Sequence, residues 1–203
     1  MPKIAIIGAG SLVFSRQLIW DILSYPELSD SSISLMDIDE ERLNLITQLA
    51  QKMVGKQGGK AKIEAHLDRR EALKDVDYVI CTIEVGGLDA YLNDIKIPDK
   101  YGINQNVGDT IGPGGVFRSL RTVPVMVDIC KDMEELCPDA YLLNYTNPMA
   151  INCWAMNKVS NIKKVGLCHS VQGTARQLTS YMQIPYEELS YWVAGINHMA
   201  WFL

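Results

Sequence analysis

The sequence predicts an α/β protein with a doubly wound parallel sheet over residues 1–190 and the start of a second α/β domain in residues 191–203. Three observations carry this. Short apolar runs rich in Ile and Val alternate with helical patterns along most of the chain. The first run leads directly into Gly8-Ala9-Gly10-Ser11. The fourth, residues 78–83, is apolar almost throughout, as a strand covered by helices on both faces must be. Alternating strands and helices imply right-handed crossovers and a parallel sheet.

The first strand is residues 3–7, and a helix with Phe14, Leu18 and Ile22 on one stripe follows the glycine turn. Strand, glycine turn and helix open a dinucleotide-binding fold. Gly8 permits the tight turn, and Gly10 lets the backbone approach a pyrophosphate. The helix N-terminus offers free N–H groups and a positive dipole end. The third glycine of the usual fingerprint is missing, with Val13 in its place, so the pattern alone is equally a simple turn. Residues 32–36 form the second strand, ending at Asp37. A carboxylate there accepts hydrogen bonds from adenosine ribose hydroxyls and repels a 2′-phosphate, favouring NAD over NADP. Asp37 lies a little farther from Gly10 than is usual, and either Asp37 or Asp39 can cap the next helix. Asp39 is better placed, because Ile46, Leu49, Ala50 and Met53 follow at helical spacing, which leaves Asp37 for the cofactor.

A polar loop over residues 55–60 precedes a third strand at 62–67, and Asp68 begins a short helix. The fourth strand carries Thr82 near its carboxyl end, grouped here with Gly8, Gly10, Ser11 and Asp37 as the cofactor-binding set. Gly86 and Gly87 follow, where ligands bind in such sheets. Residues 101–115 read as a glycine-dense loop, either a surface connector or a cover for the site. Residues 118–136 then form a long helix with Val123, Val127, Cys130 and Met133 on a stripe, and Pro124 in its first turns or at a kink. The fifth strand, 140–145, ends in Thr146-Asn147-Pro148-Met149, with Asn147 at the N-cap and Pro148 at the first helical position. The sixth, 163–167, ends at Cys168, and Ser170 caps a helix over 171–182. One more strand, 189–194, ends at Gly195-Ile196-Asn197-His198.

Composition sets the class. With 203 residues, 48% of them hydrophobic, the chain can bury a sizeable core. A net charge of −5 without a Lys/Arg run argues against nucleic acid and anionic membranes as partners. No apolar stretch approaches a membrane span, and the N-terminal apolar run is too short for a secretory signal. The five scattered cysteines read as reduced thiols of a cytoplasmic protein. The chain stops inside the apolar run His198-Met-Ala-Trp-Phe-Leu203, so the expectation is the N-terminal part of a longer protein.

A buried Cys or His taken alone is more often structural than functional. Here Asn147, Cys168, His169, Asn197 and His198 all fall at or just past predicted strand ends, which gather in one crevice of a doubly wound sheet. A thiolate and an imidazole there make a two-ligand metal site with room for substrate oxygens.

At these residues the sequence resembles the NAD- and metal-dependent glycosidases of glycoside hydrolase family four, and within it the α-galactosidase (melibiase) branch. The matching stretches are Gly8-Ala-Gly-Ser11, Met36-Asp-Ile-Asp39, Asp109-Thr-Ile-Gly-Pro-Gly-Gly115, Leu120-Arg-Thr-Val-Pro124 and Leu143-Asn-Tyr-Thr-Asn-Pro-Met149. Gly166-Leu-Cys-His-Ser-Val-Gln-Gly-Thr174 and Ala194-Gly-Ile-Asn-His-Met-Ala200 complete the set and are the most specific. The resemblance implies a Rossmann-like domain of the lactate/malate dehydrogenase type, NAD and a divalent metal. It implies hydrolysis that differs from two-carboxylate catalysis: oxidation at sugar C3, C2 deprotonation, elimination at C1, water addition and return of the hydride. Cys168 and His198 are then the metal ligands, and His169 is the candidate proton donor to the leaving oxygen. Asn147 and Asp109 are the candidate substrate residues. The C2 base, a Tyr or Asp, is expected beyond Leu203. Cys168-His169-Ser170 favours an unphosphorylated sugar. Ligand softness by itself points to zinc, whereas the resemblance implies manganese(II). The implied partner is a small-molecule glycoside, and a homo-oligomer, dimer or tetramer, is expected. The alternatives are an α-galacturonidase or α-glucosidase of the same family, and an NAD-dependent dehydrogenase of the malate/lactate type, which the cysteine and histidine motifs argue against.

Overall fold

A computed structural model describes residues 1–11, 13–105, 108 and 110–203. Asp109, the second of the two expected substrate residues, lies outside the described residues. Six strands form one parallel sheet: β1 (Lys3–Ile7), β2 (Ser32–Met36), β3 (Lys62–His66), β4 (Tyr78–Cys81), β5 (Tyr141–Asn144) and β6 (Lys163–Gly166). Their order is β3–β2–β1–β4–β5–β6. The winding direction reverses at β1, so crossovers cover both faces of the sheet and the predicted fold class holds.

Alternation along each strand divides the core in two. Ile4 and Ile6 face Ile19 and Leu23 of α1 (Phe14–Ser24) and Leu43, Ile46 and Ala50 of α2 (Glu40–Gln57). Ala5 and Ile7 turn the other way, with Val79, Cys81 and Leu142, onto Met126, Ile129 and Met133 of α5 (Gly112–Leu136) and Met156 of α6 (Met149–Val159). Asp39 is the N-cap of α2, accepting from the Arg42 N–H at 3.1 Å, as expected. A short α3 (Arg69–Ala72) precedes β4.

Four sequence expectations are corrected. The inward stripe of α1 is Ser15, Ile19 and Leu23, one residue on from the expected set, because the helix is rolled over β1 and β2. Phe14 is left 42% exposed and turns toward the carboxyl edge of the sheet. A helix not anticipated from sequence, α4 (Gly87–Asp99), follows β4. The glycine-dense stretch is partly helical, since α5 begins at Gly112 and holds Pro124 in its interior. Gly114 and Gly115 serve close approach rather than flexibility. A Cβ on Gly114 would stand 2.5 Å from the Asp94 carbonyl oxygen, and one on Gly115 would stand 2.6 Å from that of Thr110. The last predicted strand is instead an antiparallel hairpin in a sheet of its own, β7 (Val193–Ile196) and β8 (Met199–Phe202). The turn residues are Asn197 and His198, because Ile196 pairs directly with Met199. A final helix, α7 (Ser170–Met182), joins β6 to this hairpin.

One ion pair clamps α4 onto α5. Arg121 donates to Asp94 Oδ1 at 2.9 Å and to Oδ2 at 2.5 Å, and its Nε donates to the Val85 carbonyl at 2.7 Å. Asp94 is 4% exposed. The hydrogen bonds to Asp94 raise the guanidinium pKa above its usual value. Breaking such a pair leaves a buried charge uncompensated. Arg121→Ala is expected to lower stability by about 3–5 kcal/mol, read from the urea midpoint. Arg121→Ala combined with Asp94→Ala should recover much of that loss, because the stranded charge goes with its partner.

Candidate functional site

The carboxyl edge of the sheet is held by a run of polar contacts crossing from strand to strand. At its start, the Gly8 and Ala9 N–H groups both donate to the Met36 carbonyl at 2.9 Å. Thr82 donates its hydroxyl to the Gly8 carbonyl at 3.1 Å. Farther along, the Ile83 N–H donates to Thr146 Oγ1 at 3.0 Å, and Asn144 closes the β5 turn onto Thr146 through both of its amide atoms. The Leu167 N–H then donates to the Asn144 carbonyl at 2.9 Å. Asn144, Thr146 and Asn152 are buried. The Asn152 amide also donates to the Thr146 carbonyl, at 3.1 Å. The Asn144 and Thr146 side chains are satisfied in this way, as buried polar groups usually are, whereas Asn152 Oδ1 has no partner among the described residues. Asn144 and Thr146 belong to the Leu143–Met149 motif, but the local pattern gives them no individual role, because it does not tell a buried core amide from an exposed one.

The glycine turn fits a dinucleotide. Gly8 has φ +85°, and a Cβ there would stand 2.9 Å from the Thr82 carbonyl carbon and oxygen. Gly10 would place a Cβ 2.7 Å from Asp37 Oδ2. Both positions therefore require glycine on steric grounds. Asp37 accepts from the Gly10 N–H at 2.7 Å and from the Asp39 N–H at 2.9 Å, which orients the carboxylate and leaves lone pairs for further donors. Ser11 Oγ accepts the Phe14 N–H at 3.3 Å at the start of α1, whose N-cap position is Val13. Of the expected cofactor set, Gly8, Gly10, Ser11, Asp37 and Thr82 thus share one edge, with Thr82 bonded to the loop itself.

At the other end of the edge stand the predicted metal ligands. Cys168 leaves β6 and His198 sits in the hairpin turn, and Cys168 Sγ lies 3.5 Å from His198 Nε2. Two ligands bonded at about 2.3 and 2.1 Å to one tetrahedral ion stand about 3.6 Å apart, close to the observed separation, so the pair fits a shared cation. Among the described residues no three His, Cys, Asp or Glu side chains converge on one point. His198 has φ +63°, a left-handed conformation that side-chain-bearing residues seldom adopt. Such strain costs on the order of 1–3 kcal/mol.

Burial would raise the Cys168 thiol pKa, but hydrogen bonds from the Ser170 hydroxyl, the Ser170 N–H, the Asn197 side chain and the His169 N–H outweigh it and hold the thiol below its ordinary value. The Ser170 contacts are 3.1 Å from Oγ and 3.4 Å from N. Ser170 is therefore a thiolate partner as well as the first residue of α7, whose N-cap is His169 rather than the expected Ser170. Burial pushes the thiols of Cys81 and Cys137 up to about 11. His169 is exposed, its ring edge-on to Phe14 with centroids 5.8 Å apart and tilted to Tyr145 at 6.0 Å. Asn147 is half-buried, and its Oδ1 accepts the Met149 N–H at 3.3 Å although Pro148 holds the N-cap. A cavity of about 390 Å³ at the opposite, amino-terminal edge is lined by residues 75–78 and 136–141 and holds none of the candidate residues.

The fold and this edge define a dinucleotide-type α/β domain with an open cysteine–histidine pair. Its sequence matches the family described as family 4 glycosyl hydrolase over residues 3–184. The chain belongs to that family. An α-galactosidase of Rhizobium meliloti is 46% identical over 202 residues, covering 99% of this chain and 41% of the relative. One from Bacillus subtilis is 44% identical over 204 residues, covering 100% and 47%. An α-galacturonidase of Thermoanaerobacterium saccharolyticum is 39% identical, covering 98% and 44%. The chain thus spans less than half the length of these curated relatives. A 6-phospho-α-glucosidase from gut microorganisms, crystallised in complex with NAD and Mn²⁺, superposes with a TM-score of 0.87 at 25% identity, over 99% of this chain and 46% of that one. Lactate dehydrogenase from Eimeria maxima shares the fold, with a TM-score of 0.67 at 17% identity over 96% of this chain and 52% of that one.

The thiol chemistry is directly measurable. Under limiting iodoacetamide at neutral pH, Cys168 should be alkylated well before Cys81 and Cys137, as peptide mass mapping reads out. Its rate–pH profile should have a midpoint below that of a free thiol, and Ser170→Ala should move the midpoint upward. An unchanged midpoint in Ser170→Ala would contradict the role given to that hydroxyl.

Proposed function

We propose that the whole protein is an α-galactosidase that uses NAD and manganese(II) in a net hydrolysis. The observation that carries this reading is the Cys168–His198 pair, 3.5 Å apart, on the same sheet edge as the glycine turn of a family 4 chain. The two α-galactosidase relatives, 46% and 44% identical, support the sugar. The solved relative holding NAD and Mn²⁺ supports both cofactors. Cys168-His169-Ser170 supports an unphosphorylated substrate.

When bound, NAD would supply a hydride acceptor and donor for sugar C3, and the ion a Lewis acid for the C2 and C3 oxygens. The chain's own residues do the rest of the positioning. Gly8 and Gly10 would keep side chains out of the pyrophosphate path, and the N-terminus of α1 would offer its N–H groups to the phosphates. Asp37, oriented by the Gly10 and Asp39 N–H groups, accepts from the adenosine ribose. Thr82 holds the loop in register through the Gly8 carbonyl. Cys168 and His198 are the residues that hold the ion, and the thiolate contributes the negative charge. Asn147 and Asp109 take sugar hydroxyls. His169, exposed between Phe14 and Tyr145, holds the proton delivered to the leaving oxygen. Removal of the C2 proton is not assigned to a residue of this chain.

A nitrophenyl α-galactoside assay of the whole protein tests the reading. Cleavage should require both NAD⁺ and manganese, and Cys168→Ser should lose at least about 100-fold in metal-dependent rate while retaining NAD affinity by fluorescence titration. Cleavage that persists in chelator, or without NAD⁺, would overturn it. Faster cleavage of an α-galacturonide or α-glucoside would move the specificity toward the galacturonidase relative, 39% identical, or an α-glucosidase of Erwinia rhapontici, 36% identical over 200 residues and covering 98% of this chain and 44% of that one. Net reduction of NAD⁺ without glycoside cleavage would make the protein a dehydrogenase.

In deuterium oxide, the galactose released should carry deuterium at C2, seen by proton NMR. Complete retention of the original C2 hydrogen through many turnovers would count against elimination.

A further inference from the structure

The second nitrogen of His198 is also held. Its Nδ1 lies 3.1 Å from Thr110 Oγ1, across a separation of 88 residues, while Nε2 faces Cys168. Thr110 is 4% exposed. Its backbone is wedged against the first turn of α5, where a Cβ on Gly115 would stand 2.5 Å from the Thr110 carbonyl carbon. Gln105 ties the same segment down, accepting the Gly114 N–H at 3.0 Å and donating to the Asp94 carbonyl at 3.3 Å. Asp94 in turn is clamped by Arg121. The hydroxyl of Thr110 is thus placed by α4 and α5, independently of the hairpin that carries His198.

From this geometry we infer that Thr110 is a positioning residue for the metal ligand His198: its hydroxyl accepts the Nδ1–H, fixing ring rotation and tautomer so that the Nε2 lone pair points at the ion beside Cys168. The inference rests on the metal site proposed above. An imidazole ligates through one nitrogen only when the other carries the proton, and a buried acceptor at that proton selects the tautomer. His198 needs such an anchor more than a histidine on a strand would. It sits in a two-residue turn with φ +63°, on a hairpin whose partner strand is mostly exposed, so its own sheet gives the ring little support. The Thr110 hydroxyl also links the glycine-rich Thr110–Gly115 segment to metal capture, a role that the sequence motif does not disclose.

The test is a Co(II) titration of the full chain, followed by the near-ultraviolet thiolate-to-cobalt charge-transfer band, with Mn(II) binding read by loss of the free-ion EPR signal. Thr110→Val, which keeps the shape and removes the acceptor, should weaken Co(II) and Mn(II) binding about 10- to 100-fold, the range expected for loss of an outer hydrogen bond to a ligating histidine. Thr110→Ser should restore affinity to near wild type. NAD affinity and the thermal unfolding midpoint of Thr110→Ser should match wild type, so the rescue is read in a folded protein even if Thr110→Val is destabilised. Equal metal affinity in wild type and Thr110→Val, with Cys168→Ser still weakened, overturns the inference and leaves the metal site standing. A Thr110→Ser variant as weak as Thr110→Val also overturns it. No thiolate-to-cobalt band in wild type overturns the metal site and this inference with it.

Discussion

The carboxyl edge of the sheet depends on how closely the Gly8 backbone passes its neighbours. Two successive N–H groups, of Gly8 and Ala9, share the Met36 carbonyl, and the Thr82 hydroxyl returns a bond to the Gly8 carbonyl. Those contacts tie the ends of β1, β2 and β4 together at the point where the winding reverses. A Cβ at Gly8 would meet the Thr82 backbone, so the knot exists only with glycine. The buried Asn144, Thr146 and Asn152 carry the same stitching on to β5 and β6. The ends of β1, β2, β4, β5 and β6 are thereby tied to one another.

Two kinds of preorganisation meet at the cysteine–histidine pair. The thiol is eased toward its charged form by donors from Ser170, Asn197 and the His169 N–H, against the opposing effect of burial. The imidazole is held in a strained turn and braced from outside the hairpin. Both arrangements cost stability that the apolar core supplies elsewhere, which is the usual bargain at a functional site. Cys81 and Cys137 stand in contrast. Their thiols are buried and pushed to about 11, out of reach of thiolate chemistry at neutral pH.

The strands were legible because a parallel sheet covered on both faces writes itself as short, nearly continuous apolar runs. The helix stripes were less so. In α1 the inward positions are Ser15, Ile19 and Leu23, and the more hydrophobic-looking Phe14 belongs to the aromatic group beside His169. Periodicity specifies that one face is buried but not the roll of the helix on its sheet. The glycines of 112–115 misled in the opposite sense. Glycine density suggested a loop, whereas Gly114 and Gly115 let an α-helix lie against backbone at distances that no side chain tolerates.

Residue chemistry and order along the chain determined, by themselves, the doubly wound sheet, the glycine turn, the carboxylate after β2 and the two motifs that carry Cys168 and His198. Each is a local pattern, carried by a few adjacent residues. Only the tertiary structure decided that Cys168 and His198 meet, since their approach depends on where an antiparallel hairpin falls after α7. Only it could reveal the Thr110 brace, 88 residues from its partner, or the Arg121–Asp94 clamp that steadies it. Contacts between distant segments are set by packing of whole elements, and no window of sequence contains them.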